Sequence, residues 1–218
     1  MASSSSKKVY VLVRQAHTPL YELAEGIPKS LTVAAGESLD VTFVVLPGVS
    51  ATIPLTVDII GSGAEVSLKG IYISSGTDEV TFDIQMNHRV GNCVSRQLFN
   101  GLTSGSAKCA FFGKIIVSPN AQKTEAYQEN HNIVLTDEAS VNTKPQLEIY
   151  ADDVKCSHGA TVGKLNEDEQ FYMRSRGIPE DEAKVLQMIS FVAPVLSGLE
   201  DEPLVQKIEE AIRSLANE

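Results

Sequence analysis

A cysteine and a histidine lie two positions apart in "KCSHG", residues 155–159. The surrounding stretch reads as a strand, and alternation along a strand places Cys156 and His158 on one side with Ser157 on the other. A thiolate and an imidazole on one face can hold a soft or borderline metal such as iron, or receive persulfide sulfur. Two ligands make half a site, and no third ligand lies nearby in the sequence. A buried thiol beside an exposed, unrelated imidazole is the alternative, and it stays open at this point.

A second, looser pair is formed by His88 and Cys93 in "NHRVGNCVSRQ". Their spacing fits no standard metal motif, so we predict a turn histidine and a core cysteine. The chain has three cysteines and no CxxC spacing. Neither a disulfide framework nor a four-cysteine site is therefore expected from this chain alone.

Composition excludes several classes of function. The 218 residues carry a formal net charge of -10, whereas nucleic-acid binders need clustered Lys and Arg. No apolar run approaches the roughly 20 residues that cross a bilayer, and "MASSSSKK" lacks the apolar region of a secretory signal. We expect a cytoplasmic protein with neither nucleic acid nor membrane as partner.

Short strand-like segments fill the first 165 residues. Apolar and polar residues alternate in segments such as "KVYVLVR", "LDVTFVV" and "DEVTFDIQM", which is the pattern of half-buried strands. The joints carry Gly, Asn, Asp and Ser but few two-residue hairpin signals. A sandwich and a solenoid of stacked coils both fit this spacing, and periodicity leaves the two open.

Helical patterns begin after Leu165. Asn166 is a candidate N-cap followed by three acidic residues, and Gly177 is a candidate stop. A second helix should start near Pro179, with Pro194 kinking or ending it, and a last helix carries one apolar stripe. The stripes are expected either to cover the open end of the β body or to present a groove to a partner.

Several segments taken together resemble the C-terminal core of the SufB/SufD family, and its SufD branch in particular. They are "SRQLFNGL", the long run "NAQKTEAYQENHNIVLTDEASVNTKPQLEIYADDVKCSHGATVGKL", "FYMRSRGI" and "DEAKVLQMI". The likeness covers about residues 61–191 and runs without a visible gap from residue 122 to 163. It implies a mainly β fold, a right-handed parallel β-helix followed by a small C-terminal helical segment, and so favours the solenoid.

The same resemblance implies a function. In that family SufB and SufD pair, bind the ABC-type ATPase SufC and form the scaffold on which iron-sulfur clusters are assembled; SufD-like chains are not themselves enzymes. The histidine of "KCSHG" is implicated at the SufB interface, which points here to His158 with Cys156 beside it as transient iron or sulfur ligands. No cofactor is expected to bind tightly to this chain alone, although a transient cluster is expected in the complex.

The helices after the β-helix are the SufC docking region of the family. Here that region falls on about residues 166–216. The expected docking residues lie in its second helix: Pro179, Glu180, Ala183, Leu186, Met188 and Ile189.

The resemblance also sets expected boundaries. Residues 1–8 are read as a disordered or added leader, 9–165 as the β-helix core with 9–60 as a divergent cap, and 166–218 as the helical segment. Family members are usually about twice this length, so the chain reads as a truncated form or a short paralogue. An uncapped β-helix end invites pairing, and homodimerisation is therefore expected as an alternative to a SufB-like partner.

Two other functions compete with this reading. One is an interaction module outside iron-sulfur biogenesis, which keeps the fold for self-assembly or for another ATPase. The other is a carbohydrate-active β-helix enzyme, which needs acids clustered on one face. Asp152 and Asp153 are adjacent and so point to opposite sides, which argues against it.

Overall fold

The structure, a computed structural model, describes residues 5–12 and 27–216. Eleven strands precede three helices in that part of the chain. The strands are β1 (Ser5–Leu12), β2 (Ser30–Val33), β3 (Ser38–Val45), β4 (Ala51–Ile59), β5 (Glu65–Ser74), β6 (Glu79–His88), β7 (Val94–Thr103), β8 (Lys108–Val117), β9 (Glu125–Val134), β10 (Ser140–Ile149) and β11 (Lys155–Gly163). The helices are α1 (Glu167–Ser175), α2 (Glu180–Leu196) and α3 (Glu202–Leu215).

The strands wind into a parallel β-solenoid of about five turns. Odd-numbered strands form sheet A in the order β1-β3-β5-β7-β9-β11, and even-numbered strands form sheet B in the order β10-β8-β6-β4-β2. Each strand pairs in parallel with the strand one coil away; Lys155, for example, lies opposite Glu125, thirty residues earlier. The expected solenoid is confirmed, and the sandwich suggested by the same periodicity is wrong.

Inward-facing side chains fill the space between the two sheets. An aromatic stack runs along it: Phe43 contacts Phe82 at 5.8 Å between ring centroids, Phe82 contacts Phe99 at 5.1 Å, and Phe99 contacts Phe111 at 4.9 Å. A β-carbon at Gly70 would lie 2.3 Å from the Phe99 ring, so only glycine leaves room for it. Aliphatic residues close the rest of this interior, as the absence of Trp and the many Val, Ile and Leu residues predict.

The helical tail packs on the outer face of sheet A. On the sheet side, this second core consists of Val44, Leu46, Ile71, Ile73 and Leu102. On the tail side, the buried residues are Val185, Met188, Val192, Val195, Leu204, Ile208, Ile212 and Leu215. The expectation that the stripes cover the open end of the β body is therefore wrong, because they pack instead on outward aliphatic side chains of β3, β5 and β7 and on the adjoining Leu46.

Helix ends follow the sequence signals. Asn166 caps α1 by accepting hydrogen bonds from the backbone N–H groups of Asp168 and Glu169, and Pro194 lies two residues before the end of α2 at Leu196. None of the α1 residues is buried. The first helix is therefore held mainly by its contact with α2.

Polar contacts fix α2 across the strands beneath it. Asn100 of β7 donates a hydrogen bond from Nδ2 to the carbonyl oxygen of Phe191, at 2.6 Å. At the end of the helix, the Lys69 ammonium donates to the carbonyl of Ser197 at 3.3 Å, and that of Lys7 donates to the carbonyl of Gly198. Cations at these carbonyls complement the negative end of the helix dipole.

Replacing Asn100 by alanine tests how much this contact contributes. The variant loses a part-buried hydrogen bond, so we expect its free energy of unfolding to fall by about 1 kcal/mol. Urea denaturation followed by circular dichroism measures the change. The matched control is Asn142→Ala on the exposed side of β10, which should shift stability by less than about 0.5 kcal/mol; equal effects in both variants would contradict the assigned role.

The ends of the chain are only partly described. Residues 1–4 of the expected leader lie outside the described residues, whereas 5–8 form the first half of β1. Of residues 9–60, the described ones form regular strands of the solenoid, from the end of β1 to β4. Across residues 5–12 and 27–216, no helix is long and apolar enough to span a bilayer.

Candidate functional site

The last coil, formed by β10 and β11, leaves one end of the solenoid open. Within the described residues, β11 pairs only with β9, and β10 pairs only with β8. Each of these edge strands therefore keeps one side of its backbone free to pair with another chain. Among residues 5–12 and 27–216, no further coil stacks on the inward-facing residues of the last coil, so positions that are buried in earlier coils become accessible here.

Cys156 lies on the inward side of β11. It stands in register with Ala126 of β9, which is fully buried, and it packs half-buried against the interior core. Burial raises the pKa of the Cys156 thiol above its ordinary value. At neutral pH the thiol is therefore protonated, and it needs a metal or a positive charge nearby to become a ligand.

His158 follows two positions later on the same side. Its register partner is Gln128 of β9, which is fully buried, whereas His158 itself is exposed at the open end. Ser157, between the two, faces the outside of the coil by strand alternation. The expected placement of Cys156 and His158 on one face is thus what the register shows.

The two side chains alone do not complete a metal site. In the described part of the chain, no group of three His, Cys, Asp or Glu residues is placed to hold a metal ion. A thiol and an imidazole at an uncovered end can contribute two ligands. Any further ligand has to come from another molecule that covers this end.

The second predicted pair, His88 and Cys93, is buried inside the solenoid. Cys93 is a core cysteine as predicted, fully buried, with its thiol 3.3 Å from the carbonyl oxygens of Gly61 and Gly91. The prediction of a turn histidine is wrong. His88 is the last residue of β6, is fully buried, and contacts the Ser95 hydroxyl through Nε2 at 2.8 Å.

The structure divides the six expected docking residues of α2 into two groups. Ala183 and Met188 have no exposed surface, and Met188 belongs to the core between the tail and sheet A, so neither can contact a partner while the tail stays packed. Leu186 is 39% exposed, and the remaining three (Pro179, Glu180 and Ile189) are exposed or half-buried. The exposed members, together with α1, are the surface that a partner can reach.

A groove of about 690 Å³ lies between α1 and α2 beside the end of β9. Its lining residues are Ile133, Lys164, Leu165, Asn166, Asp168, Glu169, Tyr172, Met173, Leu186, Gln187, Ser190 and Phe191. Of these, Tyr172 is 60% exposed, and its neighbour in the chain, Phe171, is 72% exposed. Sequence reasoning did not identify these two aromatics as exposed. Three consecutive bulky residues, "FYM", cannot all face one side of a helix. This pattern could have indicated that some of them are exposed.

Thiol reactivity gives a direct test of this arrangement. Cys93 and Cys109 are at most 3% exposed, so the native protein should titrate one thiol per chain with an aromatic disulfide reagent, rising to three in denaturant. Because the pKa of Cys156 is raised, the reaction rate should climb steeply with pH above neutrality. Cys156→Ser should remove the native reaction entirely, and a residual fast thiol in that variant would contradict the assignment.

Comparison with known proteins shows the family of the chain. The SufBD core domain of the SUF system for FeS cluster assembly matches residues 27–191. The iron-sulfur cluster assembly protein SufD of Escherichia coli is 45% identical over 123 residues, which are 56% of this chain and 29% of that protein. An iron-sulfur cluster assembly SufBD family protein of Synechocystis is 43% identical over 116 residues, 53% of this chain and 25% of that protein.

A more distant relative extends the match. The iron-sulfur cluster assembly protein SufD of Bacillus subtilis is 30% identical over 157 residues, which are 72% of this chain and 36% of that protein. The chain thus spans well under half the length of the curated relatives it matches. The matched domain nevertheless includes the open end with Cys156 and His158 and most of α2.

Proposed function

The chain belongs to the SufBD core-domain family of the SUF iron-sulfur cluster assembly system, and from this we propose that it works as a SufD-like scaffold subunit and not as a catalyst. In this role it contributes one side of a cluster-assembly interface and carries a docking surface for the ATPase SufC. The same role would place it in the cytoplasm with its partners.

One observation carries the proposal: Cys156 and His158 lie on one face of an uncovered last coil. A SufB-like subunit, or a second copy of this chain, would cover the end by pairing along the free edges of β10 and β11. The partner would supply the missing ligands. The cluster is then transient cargo at the joint, held partly by each subunit.

The docking of SufC is assigned to the α1–α2 groove. The exposed residues Leu186 and Tyr172 both line it, and Phe171, next to Tyr172 in the chain, is also exposed; aromatic residues are enriched at protein interfaces. Asp168 and Glu169 add negative charge to the rim of the groove. The surface therefore suits a partner segment with apolar anchors and basic flanks.

Replacing His158 by alanine tests the cluster interface. Copurification with a SufB-like partner and SufC should be retained, whereas maturation of iron-sulfur enzymes in cells that depend on this chain should fail. Ser157→Ala, one position away on the opposite side of the same strand, is the matched control and should behave as wild type. Normal maturation with His158→Ala would end the proposed role of this face.

Pull-down with SufC, with and without ATP, tests the docking surface. Leu186→Ser should weaken complex formation on size-exclusion chromatography by about tenfold or more, while Ile60→Ser, a 53% exposed aliphatic residue in another part of the molecule, should not. If the intact chain binds no SufC, the alternative of a short interaction module outside iron-sulfur biogenesis would be favoured.

A further inference from the structure

The interior of the solenoid changes from aliphatic to polar toward the open end. One inward-facing column of sheet A passes through Val41, Leu68, Gln97, Gln128 and His158, each in register with the next. The first four are at most 2% exposed. Amides in an otherwise apolar column are unfavourable unless their hydrogen bonds are made.

Contacts on two sides hold the amide of Gln128. Its Nε2 donates a hydrogen bond to Oε1 of Gln97 at 3.1 Å. On the opposite sheet, a β-carbon at Gly113 would lie 2.5 Å from the same Nε2, so the glycine provides the space that the amide occupies. The side chain is therefore confined by its neighbours.

One atom of this amide has no partner. The Oε1 of Gln128 is buried and accepts no hydrogen bond from any described residue. Leaving such a buried acceptor without a donor is destabilising. The next side chain in the column is His158, one strand spacing away, about 4.8 Å along the axis, and an imidazole N–H can supply the missing donor.

We propose that Gln128 is a positioning residue for His158, whose imidazole N–H donates to the free Gln128 carbonyl oxygen when the ring turns inward. That bond selects one tautomer and leaves the other ring nitrogen unprotonated, facing the open end. The functional meaning of this bond rests on the role proposed above for His158. The bond itself does not, since it is a property of the free chain.

Nuclear magnetic resonance on the full chain with ¹⁵N-labelled histidine tests the proposal. The chain has four histidines, and His158→Ala assigns the signal of interest. In the wild type, the His158 signals should show a single tautomer with one protonated nitrogen. A rapidly exchanging mixture of tautomers, as in a free imidazole, would overturn the proposal without any variant being needed.

Two variants sharpen the test. Gln128→Leu removes the acceptor and should return His158 to mixed tautomers. Thr143→Val removes a different buried group without a hydrogen-bond partner, the Thr143 hydroxyl of the last coil. This variant should leave the tautomer of His158 unchanged. If only Thr143→Val changed the tautomer of His158, the hydrogen bond would belong to Thr143 and the proposed role of Gln128 would be wrong.

The rate of cluster assembly is a second measurement, independent of the tautomer of His158. Gln128→Leu should slow it by about tenfold or more, as losses of residues that orient metal ligands do. If the tautomer is fixed but His158→Ala leaves maturation normal, the function proposed for this face fails while the Gln128–His158 bond stands. If the tautomer is mixed in the wild type, only the positioning role fails.

Discussion

A chain that ends at Leu165 is expected to aggregate or to lose its native fold, instead of remaining as a soluble β body without its tail. Removing α1 to α3 uncovers the five buried aliphatic residues of sheet A that face the tail: Val44, Leu46, Ile71, Ile73 and Leu102. At about 1.5–3 kcal/mol for each side chain, the loss is on the order of 10 kcal/mol, which is comparable to the whole stability of a typical domain.

Size-exclusion chromatography and binding of a hydrophobic dye check this expectation. The matched control is the full-length Leu186→Ser variant, which alters an exposed tail residue and should elute and melt as the wild type does. A monomeric truncated chain with an unchanged melting temperature would contradict the second core. The result also matters for partner studies, because lost SufC binding by a truncated chain would reflect lost folding as well as a lost docking surface.

Acid is expected to destabilise the protein through His88, by as much as about 3 kcal/mol. Burial lowers the pKa of His88 to about 4, whereas the unfolded chain takes up this proton near pH 6.5. The neutral side chain therefore contributes its full stabilisation above about pH 6.5. That contribution falls as the pH drops from 6.5 toward 4, because over this range the unfolded state binds a proton that the folded state does not.

Urea unfolding at a series of pH values between 7 and 4 measures the effect. The variant His88→Gln should be less stable at neutral pH but should show a flatter dependence on pH, by about one proton over this window. Asn142→Ala, which changes an exposed residue of β10 and no ionisable group, is the control; its slope should match the wild type. An unchanged slope in His88→Gln would mean that other groups account for the acid sensitivity.

The kind and order of the elements could be predicted from local sequence patterns. Alternation marked the strands, and Asn166 marked the start of α1 through its cap. The choice between sandwich and solenoid could not be made in this way, because both bury alternating strands. It depends on pairing between residues about thirty positions apart, such as Glu125 and Lys155, and only the family resemblance pointed to it.

Only part of the candidate site could be predicted, because local patterns do not reveal contacts between coils. Cys156 and His158 are close in the sequence, so strand alternation alone placed them on one face. The column that joins His158 to Gln128 and Gln97 is built from three separate coils, and no local pattern reveals it. The family resemblance pointed to Met188 as a docking residue, and the sequence could not show that sheet A covers it instead of a partner.

The path of α2 across sheet A bears on how the molecule comes apart. A solenoid whose coils touch only their neighbours tends to unfold piecemeal, fraying from its ends. Here α2 is tied to β7 through Asn100, and the two residues that follow it are tied to β5 through Lys69 and to β1 through Lys7. The helical tail thus links successive coils, so the coils should unfold together as one cooperative unit. A mechanical load applied to the tail should likewise be shared among several coils of the β body.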